Sequence, residues 1–109
     1  MNGYRMLLIL AALSNPHRLR IIAALRAEGR NYVSRLAREV GMSRPLLHLH
    51  LQKLEAAGLV RGQLELSNDG KALHYFEVTD FNLALNPQSI AEAVASLGTL
   101  AAIHEPTSA

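Results

Sequence analysis

The stretch from Gly41 to Val60, GMSRPLLHLHLQKLEAAGLV, most constrains how this chain can fold. Ser43 can cap a helix, Pro45 suits a first turn, and Gly58 is a typical helix stop. At about 100° per residue, four side chains fall within one narrow arc: Leu47, His50, Leu51 and Leu54. We therefore predict an amphipathic helix with this arc packed against the core.

The opposite arc of the same helix is expected to face outward. It carries a mixture of polar, basic and apolar side chains: Pro45, Leu49, Gln52 and Lys53, with His48 on its flank and Arg44 projecting from the first turn. An exposed leucine among hydrogen-bonding side chains could contact thymine methyl groups. This composition suits a helix that enters the DNA major groove.

A shorter helix, Tyr32 to Val40, is predicted just before this one, with Asn31 as its cap. Its apolar residues follow the i, i+3, i+4, i+7 pattern of a buried helix face: Val33, Leu36, Ala37 and Val40. Its other face carries Arg35 and Arg38. A helix, a glycine turn at Gly41 and a second helix form the helix-turn-helix pattern.

Two further helices are predicted near the N-terminus. Residues 4–13 are apolar around nearly the whole circumference, which indicates cover on several sides, including cover by a partner subunit. Ser14-Asn15-Pro16 starts a second helix that runs to about Arg26. The apolar segment 6–13 lacks a following cleavage site and the length of a membrane span, so we expect a cytoplasmic protein without a membrane partner.

Downstream, residues 59–66 and 73–78 are strand candidates around the turn Ser67–Lys71. This hairpin would form the wing of a winged helix-turn-helix.

After a linker, Asn86-Pro87 begins a final helix, predicted from Gln88 to about Ile103. The first and last helices together suggest a homodimer, and its candidate interface residues are Met6, Leu7, Leu10, Ile90, Val94, Leu97 and Ala101.

The charge of the chain is unevenly distributed. Residues 1–61 contain ten basic and three acidic residues, whereas residues 62–109 contain one basic and six acidic residues. A basic half built around one helix pair is the expected electrostatic footprint of a polyanionic partner. The chain has no cysteine, which excludes disulfides, thiol redox sensing and thiolate metal sites within it.

Three segments resemble the ArsR/SmtB family of bacterial transcriptional regulators: LSNPHRLRIIAAL (13–25), VSRLAREVGMSRPLLHLHLQKLEAAGLV (33–60) and GKALHYFEV (70–78). The resemblance implies a winged helix-turn-helix homodimer that pairs through its first and last helices. It also implies an inverted-repeat operator in double-stranded DNA and an effector, often a metal ion. We accordingly predict one domain over residues 1–109, mainly α with a small β-hairpin. Its parts are the first two helices (4–30), the helix-turn-helix (32–58), the wing (59–78) and the dimerisation helix (87–103).

By position, the resemblance places five residues where the family reads bases and phosphates: Ser43, Arg44, Pro45, His48 and Leu49. His50-Leu51 matches the family's helix-packing pair. This sequence departs from the pattern where Pro45 and His48 replace the usual serine or threonine. It departs again at a less basic wing tip and at residues 34–37, where SRLA replaces a cysteine-containing metal motif.

Each candidate DNA contact has an expected role. Arg44 can pair bidentately with guanine, and Gln52 or His48 could donate to a base edge or a phosphate. The residues expected to bind phosphate are Arg35, Arg38, Lys53 and Arg61, with Lys71 on the wing. In a dimer, two reading helices about 34 Å apart would match half-sites one DNA turn apart.

The effector and the alternatives stay open at this point. No cofactor is assigned; Glu92, His104 and Glu105 are weak candidate metal ligands, and their nitrogen and oxygen atoms would favour Ni²⁺, Zn²⁺ or Co²⁺. A regulatory protein could replace the metal as the controlling partner. A winged helix that binds an acidic protein is a further alternative. No nucleophile–base pair or phosphate loop is present, so we predict no enzymatic activity.

Overall fold

The computed structural model describes residues 1–98, and in this range the chain forms five α-helices, three β-strands and one 3₁₀ turn. The helices are α1 (Gly3–Leu13), α2 (Pro16–Glu28), α3 (Val33–Val40), α4 (Arg44–Ala56) and α5 (Pro87–Val94). The strands are β1 (Asn31–Tyr32), β2 (Val60–Leu66) and β3 (Ala72–Val78), and the 3₁₀ turn is Ala95–Leu97. The mainly helical fold with a small sheet, predicted from the sequence, is confirmed.

Short polar side chains define where most of these helices begin. The side chain of Asn15 accepts hydrogen bonds from the backbone N–H groups of the first turn of α2, and Ser43 accepts one at the start of α4. Asn86 and Ser89 form a reciprocal capping box at the start of α5. Because these caps satisfy donors that a helix leaves free, they fix the starting points that the sequence predicted.

The core lies where α1 to α4 meet the sheet. The predicted inner arc of α4 is confirmed, since Leu47, Leu51 and Leu54 are fully buried and His50 is nearly so. Val33, Leu36 and Ala37 of α3 are buried as well. On α2, the side that packs inward is the one that carries Ile21 and Leu25. These residues form one continuous apolar cluster, which fixes the orientation of α4.

Helix α1 packs inward along Met6, Ile9 and Ala12. Its opposite side leaves Leu7 and Leu8 about half exposed, at 49% and 44%. No single helix among residues 1–98 has the length and hydropathy to cross a bilayer, and α1 and α2 meet that requirement only when taken together across a 90° bend.

The wing has one strand more than the sequence predicted. Strands β2 and β3 pair antiparallel from Val60–Val78 to Leu66–Ala72, and Gly70, with φ of +85°, closes the turn between them. Asn31 and Tyr32 then add β1 on the other side of β3. The prediction that Asn31 caps the third helix and that Tyr32 begins it was wrong. Two extended residues are too short to show a strand periodicity, and their pairing with β3 is a long-range contact.

The last helix is also shorter than predicted. Its α-helical part ends at Val94 and continues as the 3₁₀ turn, whereas the sequence predicted one α-helix from Gln88 to about Ile103. The part of that range beyond residue 98, including Ala101, lies outside the described residues. Ala93 is the buried residue of α5, and it sits against Gly3 of α1. A methyl group added at Gly3 would lie 2.5 Å from the carbonyl oxygen of Ala93, so only glycine permits this approach.

Candidate nucleic-acid interface

Helix α4 presents its outer face to solvent as predicted. Arg44, Pro45, Gln52 and Lys53 are exposed, and Leu49 is 58% exposed. His48 is half-buried on the flank of this face. We call these six residues, together with the exposed cap Ser43, the α4 reading face, after the role in DNA recognition that the sequence predicts for them. It combines the exposed apolar side chain of Leu49 with the cations Arg44 and Lys53, which permits both apolar contact and hydrogen bonding to base edges.

The turn before α4 holds the two helices of the motif together. Gly41 adopts φ of +71°, a left-handed conformation that side chains other than glycine rarely adopt. The backbone N–H groups of Gly41 and Met42 both donate to the carbonyl oxygen of Ala37, at 2.9 Å and 3.1 Å. This C-terminal cap stops α3, and Ser43 starts α4 two residues later. The predicted helix-turn-helix is therefore formed.

Beneath the α4 reading face, Arg18 and His50 make a buried polar pair. The Nη1 group of Arg18 lies 3.2 Å from Nδ1 of His50, and Nε of Arg18 donates to the carbonyl oxygen of Ala12 at 2.6 Å. These contacts link the end of α1, the start of α2 and the middle of α4. The core position of His50 was predicted. The burial of Arg18 was missed, although its spacing of three and seven residues from Ile21 and Leu25 places it on the buried side of α2.

Burial lowers the pKa of His50 below its usual value, and the positive charges of Arg18, His17 and Lys53 lower it further. His50 is therefore neutral near pH 7, with Nδ1 free to accept the hydrogen bond from Arg18. A protonated ring would carry a hydrogen on both nitrogens and would lose this acceptor.

We expect the free energy of unfolding to fall as the pH falls through the ordinary histidine pKa of 6.5, because the unfolded chain then binds a proton that the folded chain excludes. One such proton changes stability by at most about 1.4 kcal/mol per pH unit, and the loss levels off below the folded-state pKa. His50→Asn keeps an acceptor for Arg18 but does not titrate, so its stability profile should be flatter. Urea unfolding between pH 7.5 and 5.5 measures this, with His48→Asn on the outer side of the same helix as the matched control. An equal slope in wild type and His50→Asn would contradict the assignment.

The wing strand β3 contributes a residue that sequence reasoning did not assign to the interface. The ring of His74 lies 5.9 Å from the ring of His48 and 4.5 Å from that of Phe76. With Arg44 these histidines border a small open cavity of about 190 Å³. The alternation of His74 and Phe76 on one strand face was visible in the sequence, but not that this face folds over α4. His74 thus joins the α4 reading face at its wing side.

The expected phosphate-binding residues are placed on several elements. Arg38, Lys53 and Lys71 are exposed and form no ion pair with a carboxylate among residues 1–98. Arg35 pairs with Glu39 at 3.3 Å and Arg61 with Glu77 at 3.7 Å, in both cases through an exposed arginine. Exposed pairs of this kind contribute little and are screened by salt, so a phosphate can compete for both arginines.

A separate arginine contacts the wing near its turn. Arg30 forms an ion pair with Glu65 of β2, and its guanidinium carbon lies 3.9 Å from the centre of the Tyr75 ring on β3. The hydrogen bond from Arg30 lowers the pKa of Glu65, and the same contact raises the pKa of Arg30. Arg30 is therefore part of the packing of the wing.

The candidate dimer residues are only partly on the surface of the protomer. Leu7, Ile90 and Val94 are exposed, whereas Leu10 and Leu97 are half-buried. Met6 is 6% exposed and packs inside the protomer. Tyr4 and Leu8, which are not among the predicted interface residues, extend the exposed apolar side of α1. We call Tyr4, Leu7, Leu8, Ile90 and Val94 the α1/α5 apolar face.

The candidate metal ligands are not assembled within the described range. The exposed carboxylate of Glu92 accepts a hydrogen bond from the amide of Gln88 at 2.9 Å. His104 and Glu105 lie outside the described residues. Among residues 1–98, no group of three or more histidine, aspartate or glutamate side chains is arranged to hold a metal ion.

The sequence of this chain is similar to those of known helix-turn-helix proteins. A helix-turn-helix domain family matches residues 13–63. An HTH-type transcriptional regulator of Methanocaldococcus jannaschii is 35% identical over 79 residues, which cover 72% of this chain and 81% of that protein.

Two solved structures extend the similarity to the whole fold. NolR from Sinorhizobium fredii is 27% identical with a TM-score of 0.57, over 95% of this chain and 88% of NolR. A homodimeric winged helix-turn-helix DNA-binding domain from Mycobacterium bovis, described as a possible ArsR-family regulator, is 25% identical with a TM-score of 0.58, over 94% and 82% of the two chains. This chain therefore belongs to the helix-turn-helix transcriptional regulators, and it shares the winged helix-turn-helix fold of this possible ArsR-family domain.

Proposed function

We propose that this protein binds a specific inverted-repeat operator as a homodimer and reads each half-site with the α4 reading face. One observation carries the proposal: α4 is anchored by a fully buried inner arc, while its outer face carries Arg44 with no carboxylate partner among residues 1–98. An unpaired guanidinium on a rigid helix can give both of its donor edges to guanine. The basic first half of the chain supplies the attraction to phosphate.

The α1/α5 apolar face supports pairing of two copies. It carries large exposed apolar side chains on two helices that pack against each other around Gly3 and Ala93. Exposed apolar side chains grouped on neighbouring helices are typical of protein–protein contact. A two-fold dimer would present two copies of α4 to half-sites one DNA turn apart.

Titration of the protein against a fragment of its own promoter and a scrambled fragment of equal length tests the proposal. We expect tighter binding to the promoter and a stoichiometry of two protomers per site in sedimentation. If each protomer neutralises four phosphates, affinity should fall by at least about 10³-fold between 50 mM and 200 mM salt. Equal affinity for both fragments would contradict sequence-specific recognition.

Control by Ni²⁺, Zn²⁺ or Co²⁺ stays a prediction of the sequence, with Glu92, His104 and Glu105 as its candidate ligands. Nitrogen and oxygen donors suit these ions. Calorimetry with Ni²⁺ and Zn²⁺ should give a binding heat that disappears in His104→Ala, whereas a wild type that releases no heat would dismiss a metal effector. Control by a partner protein is the alternative. A winged helix whose basic face binds an acidic protein is a separate alternative; in that case Arg44→Ala should leave DNA binding unchanged and abolish capture of the acidic partner.

A further inference from the structure

A second, larger cavity lies behind the α4 reading face, between α1, α2 and α4. It is open to solvent, and its volume of about 450 Å³ is within the range of sites that bind small organic ligands. The residues that line it are Leu8, Ala11, Ala12, Arg18, Lys53 and Ala56. Its lining thus combines apolar side chains with two cations and contains no acidic residue.

Arg18 is the unusual member of this lining because its side chain is buried, with 9% of the residue exposed. Its guanidinium makes three hydrogen bonds, to the carbonyl oxygens of Ala11 and Ala12 and to the ring of His50. None of these partners carries a full negative charge, and no carboxylate among residues 1–98 pairs with Arg18. The carbonyls at the end of α1 offset only part of the charge. A buried cation without a counter-ion is costly, so the cavity wall favours an anion.

Lys53 and His50 support this reading of the local charge. Lys53 lies on α4 and lines the same cavity as Arg18. The pKa of His50, which is lowered first by burial, is lowered further by Arg18, His17 and Lys53. The region is therefore electropositive, and the neutral ring of His50 does not offset the charges of Arg18 and Lys53.

The rest of the lining determines what kind of anion fits. Leu8, Ala11, Ala12 and Ala56 offer methyl and isobutyl groups, and a bare inorganic anion would leave these apolar surfaces uncovered. We propose that this cavity binds a small amphipathic carboxylate, with its head group between Arg18 and Lys53 and its hydrocarbon chain along Ala11, Ala12 and Ala56. A carboxylate can accept from the guanidinium and the ammonium together, since each of its oxygens has two acceptor sites.

The site would also regulate DNA binding, and this part rests on the proposed function. Lys53 belongs to both the cavity and the α4 reading face, and Arg18 holds His50 in the same helix. A bound carboxylate competes with DNA phosphate for Lys53 and adds negative charge behind α4. The ligand is therefore expected to weaken operator binding.

Calorimetry on the full chain with octanoate tests the site, with octanol and acetate as probes that lack either the charge or the chain. Octanoate should bind saturably, and both comparison probes at least tenfold more weakly. Ala11→Leu fills the cavity and Lys53→Met removes a cation, so each should weaken octanoate binding at least tenfold. Ala27→Leu and Arg26→Met, exposed changes on α2 outside the cavity, are the matched controls and should bind like wild type. Absence of binding, or binding that neither cavity variant weakens, would overturn the proposal.

Three further measurements separate the possible failures. Saturating octanoate should weaken operator binding by the wild type but not by Ala11→Leu. If octanoate binds and the operator affinity of the wild type does not change, the regulatory role is overturned. If sedimentation shows that Ala11→Leu dissociates the dimer, the partner chain occupies this cavity and the proposal fails. Failure of promoter binding, by contrast, would reject the proposed function while octanoate binding still established the cavity site.

Discussion

Replacing Leu51 by alanine should lower the free energy of unfolding by about 2 to 5 kcal/mol, the range found for large-to-small changes in a packed core. Leu51 is fully buried and belongs to the apolar cluster formed by α1 to α4 and the sheet. Its loss removes three carbon atoms from that cluster and leaves a cavity, because neighbouring helices relax only in part. A domain of this size has a total stability of roughly 5 to 15 kcal/mol, so this one change is a large share of it.

Leu49→Ala is the matched control for that change. It removes the same atoms from the same helix, two residues earlier, but from a side chain that is 58% exposed. Its effect on stability should stay within about 0.5 kcal/mol, as for ordinary surface changes. Urea unfolding followed by circular dichroism, at one fixed protomer concentration since pairing adds to stability, compares the two. Equal losses for the two variants would show that the inner and outer arcs of α4 are wrongly assigned.

Replacing Arg44 by alanine should reduce discrimination between operator and scrambled DNA by about 1 to 3 kcal/mol for each half-site, the contribution of a bidentate contact to guanine. Stability should not change, because Arg44 is exposed and forms no ion pair among residues 1–98. The variant should keep most of its binding to scrambled DNA, since phosphate contacts remain. Fluorescence anisotropy with labelled fragments at one salt concentration gives both affinities.

Arg38→Ala provides the comparison that distinguishes reading from charge. Arg38 is exposed on α3 and is expected to bind phosphate. Its removal should weaken binding to both DNA sequences alike and reduce the salt slope by about 1 per protomer. If Arg44→Ala behaved in the same way as Arg38→Ala, Arg44 would be a phosphate contact and sequence reading would belong elsewhere on the helix.

Helix α4 and its two faces could be predicted because their determinants are local. Ser43 and Gly58 mark its ends, and the spacing of Leu47, Leu51 and Leu54 identifies its inner arc. Capping and helical periodicity act over a few residues, so one sequence is enough to reveal them. The roles of individual side chains at DNA stay predictions, because position on an exposed face does not identify the base that is contacted.

The features that the sequence did not reveal depend on distant residues. Strand β1 exists because Asn31 and Tyr32 reach β3, more than forty positions along the chain. His74 meets His48 only because the wing folds over α4. The spacing in α2 places Arg18 beside Ile21 and Leu25, but its contact with His50 joins residues 32 positions apart, which a helix pattern does not show. Hydrophobic periodicity identifies a face of an element but not the element that will cover it.

The contact of Gly3 with α5 has a consequence for the order of folding. The backbone N–H of Gly3 donates to the hydroxyl of Ser96, a pair separated by 93 positions in the chain. Closing a loop of that length costs roughly 4 kcal/mol of chain entropy, whereas the α3–α4 turn closes over a few residues. We therefore expect α4 to form before α1 meets α5, so that the helix proposed to read DNA exists before the face proposed to pair two copies. Pulsed amide exchange during refolding should protect α4 earlier than the first turn of α1.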